Sequence, residues 1–321
     1  MQRPIEKAAM RKVYLRILPL AALTYFFAYL DRINVGFAAL TMNKDLGFDS
    51  AVYGMAAGAF FWGYVLFEVP SNIILEKLGA RLWIARIMVT WGLIAGATAF
   101  AWDATSFMVI RFLLGLAEAG LFPGFVLYFT YWFPRHHRAR INAGFTLALP
   151  IAVALGAPMS TALLGLDGLW GLKSWQVMYV FEAIPTVLIG FVVLLLLTDK
   201  PEQARWLNGE EAQWLANDIA QERKKVATEH NVGLWQSFWD PRVVLLSINY
   251  LGIVTASLGM LLFLPQIVKQ LGISNMQVGW VTMIPYGFGA LSMVVCGRIS
   301  DQLGDRRWCL FTTCVISTIG L

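Results

Sequence analysis

The stretch Thr24–Leu40, TYFFAYLDRINVGFAAL, sets an aspartate and an arginine side by side inside an apolar run that extends from Ile17 to Met42. A run of that length meets the roughly 20 residues an α-helix needs to cross the hydrocarbon core of a bilayer. Asp31 and Arg32 stand near its middle. An ionised side chain at such depth costs about 2.5 kcal/mol or more, so the pair must serve something that outweighs it.

Outward from this stretch the pattern recurs. Apolar runs cover Ala51–Leu75, Leu82–Trp102, Thr105–Phe133, Ile141–Leu166, Val177–Thr198, Val243–Val268 and Met276–Ile299, with a shorter one at Trp308–Leu321. None alternates with period two, which excludes a transmembrane barrel. Of the 321 residues 58% are hydrophobic and 14% charged, where a soluble domain carries about 25% charged residues. The sequence predicts an all-α, polytopic membrane protein embedded in a lipid bilayer.

Arg3, Lys7, Arg11, Lys12 and Arg16 precede a first run too long for a signal-peptide core. Alternate loops carry Lys77, Arg81 and Arg86, then Arg135, Arg138 and Arg140, then Arg298, Arg306 and Arg307; the remaining loops carry only Lys44, Lys173 and Lys269. The positive-inside rule then puts the N-terminus in the cytoplasm, and the expected location is the plasma or inner membrane. The net charge of +5 reflects this topology, so no nucleic-acid partner is expected. Cys296, Cys309 and Cys314 lack metal-ligand spacing. His136 and His137 read as solvated positive charge among arginines. Zinc-protease, nucleophile-elbow and phosphate-loop motifs are missing, so we expect neither an enzyme nor a metal or organic cofactor.

The loop after the second run reads EKLGARLW (Glu76–Trp83), and the loop after the eighth reads DQLGDRRW (Asp301–Trp308). An acid, Leu-Gly, Arg and Trp recur at a constant offset of 225 residues. Parallel repetition of a helix bundle is the organisation of one large transporter class. On that basis residues 1–198 form a six-helix bundle, 199–242 a cytoplasmic linker, and 243–321 the first three helices of a second bundle, truncated after the third. Within the linker, Gly209–Lys225 has acids in its first turn and bases in its last, as a helix dipole favours. Leu234, Trp235, Phe238 and Trp239 share one face of a short interfacial helix.

Asp31, Arg32, Glu68, Arg111 and Glu118 fall well inside the runs, and Glu182 lies closer to a helix end. Arg111 and Glu118 are two turns apart and share a face; Tyr25, Tyr29 and Arg32 form a comparable stripe. Asp31 is about 100° around the helix from Arg32, so each needs its own partner in the bundle. At the 225-residue offset Asp31, Arg32 and Glu68 meet Ala256, Ser257 and Met293. Equivalent helices therefore need no such charges, and intramembrane charge is functional by default. Two buried arginines make a site for a small organic anion, since guanidinium bonds carboxylate bidentately. Two carboxylates that can be neutral or charged suit the carriage of protons. Tyr64, near Trp62, offers a hydroxyl or a stacking surface.

Three stretches, YLDRINVGFAA, FEVPSNIILEKLGARLWIARI and RFLLGLAEAGLFPGFVLYFTYWFP, resemble signatures of the major facilitator superfamily and, within it, the anion:cation symporter family. The superfamily's loop motif is matched by Gly297, Asp301, Gly304, Arg306 and Arg307, with Gln302 in place of a basic residue. The early copy matches only at Glu76, Lys77, Gly79 and Arg81, and Asn72 stands where its first glycine would be. The resemblance implies twelve helices in two halves around a site reached alternately from each side. It implies that Arg32 and Arg111 hold a substrate carboxylate, with Tyr64 and Tyr29 beside them, and that Asp31 and Glu118 carry protons. Glu76, Arg81, Asp301 and Arg306 are the expected gating charges. The implied function is proton-coupled symport of a tartrate-like dicarboxylate, an aromatic carboxylate or a sugar acid by a monomer, with the proton gradient as its coupling source. The alternatives are a proton-independent exchanger or facilitator, and a membrane sensor that binds the anion without moving it.

Overall fold

The computed structural model describes residues 2–229, 239–304 and 306–320. They form α1 (Gln2–Leu46), α2 (Ser50–Leu78), α3 (Ala80–Ala97), α4 (Ala104–Glu118), α5 (Leu121–Trp132), α6 (Arg135–Thr146), α7 (Ala148–Leu163), α8 (Ser174–Leu196), α9 (Gly209–Glu229), α10 (Pro241–Lys269), α11 (Asn275–Leu303) and α12 (Arg306–Gly320), with no strand among the described residues. Among the described residues eight segments are long and apolar enough to cross a membrane, α4–α5 and α6–α7 each counting as one. Side chains start several of them. Asp49 Oδ1 accepts from the Val52 N–H at 2.8 Å to cap α2, and Asp103 and Ser106 form a capping box at α4. The Ser106 backbone N–H holds the Asp103 carboxyl below its ordinary value.

The 225-residue offset reappears in three dimensions. It carries the bounds of α2 onto those of α11 and Gly79 onto Gly304. Both glycines have positive φ, +93° and +68°, a backbone region open mainly to glycine.

Two expectations change. Thr105–Phe133 is not one helix: Ala119 leaves helical geometry (φ −54°, ψ 134°) and Gly120 adopts φ +89°, which ends α4 at Glu118 and restarts the chain as α5. The linker helix runs four residues past Lys225 to Glu229, so its last turn holds no base. Leu234, Trp235 and Phe238, and the side chains of Asp301 and Arg306, lie outside the described residues.

Close backbone contact sets the α2–α4 crossing. A Cβ added to Gly63 would meet Leu116 N at 3.0 Å as well as the Phe112 carbonyl oxygen. One added to Gly115 would meet Tyr64 N at 2.9 Å as well as the Phe60 carbonyl oxygen. The helix α3 packs along α8, and α1 lies against α7 and α8. The linker is more than a tether. Leu215 and Ile219 of α9 are buried in the bundle, Trp206 stacks on Trp132 at 5.3 Å, and Lys12 pairs with Glu211 at 2.7 Å. Arg138 pairs with Glu222 at 2.9 Å. We call this the linker end.

α10 and α11 touch the first helices at the opposite end. The Tyr53 hydroxyl lies 3.2 Å from the Leu262 carbonyl, Gly36 abuts the α10 backbone, and Gly279 abuts α7 at Thr161. Two apolar clusters fill the bundle. They part between Ala28 and Leu30 in α1, Phe107 and Leu114 in α4, and Tyr179 and Ala183 in α8. Asp31, Arg111 and Glu182 stand at or beside that division.

Candidate functional site

The charges expected to need separate partners have them. Arg32 Nη2 lies 2.5 Å from Glu118 Oε1, and the Glu118 side chain is fully buried. The guanidinium sits over three rings, Tyr29 and Tyr64 at 5.2 Å and Phe60 at 5.7 Å. Such cation–π contacts strengthen as water is excluded. The crossing at Gly63 and Gly115 makes this possible, because it presses the α2 residues Phe60 and Tyr64 onto the α4 face that carries Arg111 and Glu118.

Asp31 points away from Arg32. Its Oδ2 accepts from Trp91 Nε1 at 2.9 Å and its Oδ1 from Asn34 Nδ2 at 3.0 Å. Both oxygens are thus bonded to neutral donors. The sequence carries no local sign of the Trp91 bond, which joins residues 60 apart.

Arg111 is 2% exposed, and its guanidinium lies 5.0 Å from the Phe60 ring. Its Nε has no hydrogen-bond partner. Among the described residues no carboxylate forms an ion pair with it, so the shared face with Glu118 does not become a contact: Glu118 turns to Arg32 on α1. Arg111 still lies within electrostatic range of Asp31 and Glu118. An unpaired buried guanidinium is costly.

The remaining expectations divide. Glu68 is half-buried and feels Arg32. Trp62 is 73% exposed, while the Tyr64 ring meets the Arg32 guanidinium. Glu182 is 4% exposed, two turns inside α8, and accepts 2.7 Å from Ser160 Oγ. Position relative to a helix end did not reveal that burial. His136 and His137 are not merely solvated, since their Nε2 atoms lie 3.1 and 3.8 Å from Glu6 Oε1.

Of the gating set, Arg81 joins α3 to the end of α8. Its Nε donates to the Leu194 carbonyl at 2.7 Å and its backbone N–H to Asp199 at 2.8 Å. Glu76 is exposed and lines a cavity of about 370 Å³ with Asp199 and Lys200 at the linker end, away from the buried arginines.

The family model for the Major Facilitator Superfamily matches residues 21–321. An Agrobacterium vitis protein provisionally named a tartrate transporter is 46% identical over the whole chain, which covers 74% of its length. A quinolone resistance transporter of Acinetobacter baumannii is 41% identical over 94% of the chain and 70% of its own length. The inner membrane transport protein RhmT of Escherichia coli is 36% identical over the whole chain and 75% of its length. Among solved structures, a bacterial homologue of the lysosomal transporter Spinster, inward-facing and occupied, superposes with a TM-score of 0.70 at 15% identity. The match covers 90% of this chain and 62% of that one. A D-xylose–proton symporter gives 0.66 at 17% identity, over 90% of this chain and 69% of that one.

Proposed function

The chain belongs to the Major Facilitator Superfamily, a family of membrane transporters rather than enzymes, and on that premise we propose that it moves a small organic anion together with protons. One observation carries the reading: Arg111 is buried, and among the described residues no carboxylate pairs with it. Arg32, one helix away, is engaged with Glu118. A proton arriving on Glu118 abolishes that pair and frees Arg32. The two guanidinium groups then grip one carboxylate between them, with Tyr29 and Tyr64 lining the approach. Substrate and proton thus enter in linked steps, because the anion competes with Glu118 for the same cation.

The buried Asp31 is the second proton carrier in this reading. A dicarboxylate matches two arginines, and the relatives provisionally named tartrate transporters support that class first; aromatic carboxylates and sugar acids are the other candidates. The contacts of α10 and α11 with the first helices gather at the end away from the linker, which supports access to the site from the linker side. If the positive-inside reading holds, that side is the cytoplasm.

Uptake of labelled tartrate into vesicles bearing the protein, with and without an imposed pH gradient, tests the proposal. Accumulation that follows the gradient is expected. Uptake indifferent to the gradient would mark an exchanger or facilitator, and binding without uptake a sensor.

A further inference from the structure

A buried carboxyl in α8 has no part in gripping the anion. Glu182 Oε1 accepts from Ser160 Oγ of α7 at 2.7 Å, while Oε2 has no partner. The Asn34 amide of α1 neighbours the same carboxyl, and its Nδ2 donates to Asp31 at 3.0 Å. Asn34 Oδ1 is buried without a partner, and so is the Tyr179 hydroxyl. Glu182 Oε2 and Asn34 Oδ1 are therefore acceptors left over, while the Tyr179 hydroxyl can donate as well as accept. An ionised carboxylate can only accept, and so can an amide oxygen.

No ion pair to Glu182 exists among the described residues. The groups facing it are Asp31 and Asn34 from α1, Ser160 from α7, and Tyr179 from its own helix. The Trp91 N–H of α3 is committed to Asp31. Arg111 acts on Asp31 and Tyr179. A carboxylate sealed from water without a cation costs far more than the neutral acid. One proton on Oε2 removes the charge and at once supplies a donor for Asn34 Oδ1.

We propose that Glu182, Ser160 and Asn34 form a second proton-holding site, in which neutral Glu182 donates to the Asn34 carbonyl and Asn34 donates in turn to ionised Asp31. The two carboxyls then share one negative charge. Asp31, with Trp91 and Asn34 as donors, takes the charge; Glu182 keeps the proton. The role of this site in coupling rests on the proton-linked reading above, whereas its existence rests on the geometry of the cluster.

Infrared spectroscopy of the purified protein at neutral pH tests it, because only a neutral carboxylic acid gives the high-frequency carbonyl stretch. The expected band is present in the wild type and in Asp31→Asn and is lost in Glu182→Gln. Ser160→Ala leaves the carboxyl in place, removes its hydrogen bond, and should shift the band upward. A band unchanged by both Glu182→Gln and Ser160→Ala overturns the site. Vesicle uptake separates the two readings. Wild-type uptake indifferent to pH would sink proton coupling and leave the infrared result standing, while absence of the band would sink this site however uptake behaves.

Discussion

At the scale of single residues, the contrast between the two arginines organises the expectations. Among the described residues no carboxylate pairs with Arg111, whereas Arg32 meets Glu118, so substitutions at the two positions should differ. Arg111→Lys keeps a positive charge and loses the planar fork. Affinity for a carboxylate substrate should fall by about 1.5–3 kcal/mol, the scale of a hydrogen bond to a charged group, with little change in protein level. Titration calorimetry on the purified protein measures this, and unchanged affinity in Arg111→Lys and Arg111→Gln alike would make Arg111 structural. Glu118→Gln leaves Arg32 permanently unpaired and mimics the loaded carrier. This variant should bind and exchange substrate yet fail to accumulate it on a pH gradient. Accumulation at the wild-type level would move the proton elsewhere, to Asp31 first.

At the scale of elements, the α2–α4 crossing decides whether the site exists. Phe60 and Tyr64 reach Arg32 and Arg111 only because two glycines let the helix backbones touch. Gly115→Ala forces a methyl group against the Phe60 carbonyl and the Tyr64 N–H, which are main-chain atoms that cannot swing aside. Overpacking of this kind costs about 1–3 kcal/mol and should lower the thermal midpoint in detergent together with substrate affinity. Gly58, also in α2, has open space where a Cβ would lie. Gly58→Ala should be neutral or slightly stabilising, since alanine is the better helix former. Equal losses in the two variants would mean that the loss does not arise from the close backbone contact at the crossing. The break at Gly120 acts on the same scale, because it ends α4 at Glu118 and restarts the chain as α5.

At the scale of the whole molecule, the linker clamps the first helices and the membrane potential sets the load. Burial raises the Glu211 carboxyl, but the Lys12 ammonium and the Asn208 N–H outweigh it and hold the group below its ordinary range. A depressed carboxyl contributes stability that is fully present above the unfolded-state value and is lost as pH falls through the folded one. Hydrogen exchange in α9 should therefore be slow at neutral pH and quicken in acid. In Glu211→Gln the neutral-pH protection should drop by an amount on the order of 1 kcal/mol, with a flatter acid response. An identical pH response in the variant would show that other contacts dock α9. On transport, a dianion moving against an interior-negative potential costs about 2.3 kcal/mol per charge per 100 mV. Two protons make the step electroneutral, and we expect at least two per dicarboxylate, read as the ratio of proton to tartrate flux. A ratio of one would remove either Asp31 or Glu118 from the pathway.

The number and approximate position of the spans, the 225-residue repeat and the presence of charge at bilayer depth all follow from the amino-acid order, because hydropathy and helical periodicity act over a few neighbouring residues. The 100° angle between Asp31 and Arg32 is equally local, and it correctly required two different partners. The identity of those partners is not local. Arg32 with Glu118, Asp31 with Trp91 and Ser160 with Glu182 join residues 86, 60 and 22 positions apart. Each depends on how closely two helices approach and at what angle. That approach is decided by a few small residues, such as Gly63 and Gly115, whose meaning appears only when the facing backbone is in place. For the same reason Glu182 reads as a helix-end residue in sequence and becomes a sealed carboxyl in the fold: burial is a property of the neighbours that α1 and α7 bring to it, and no window along α8 contains them.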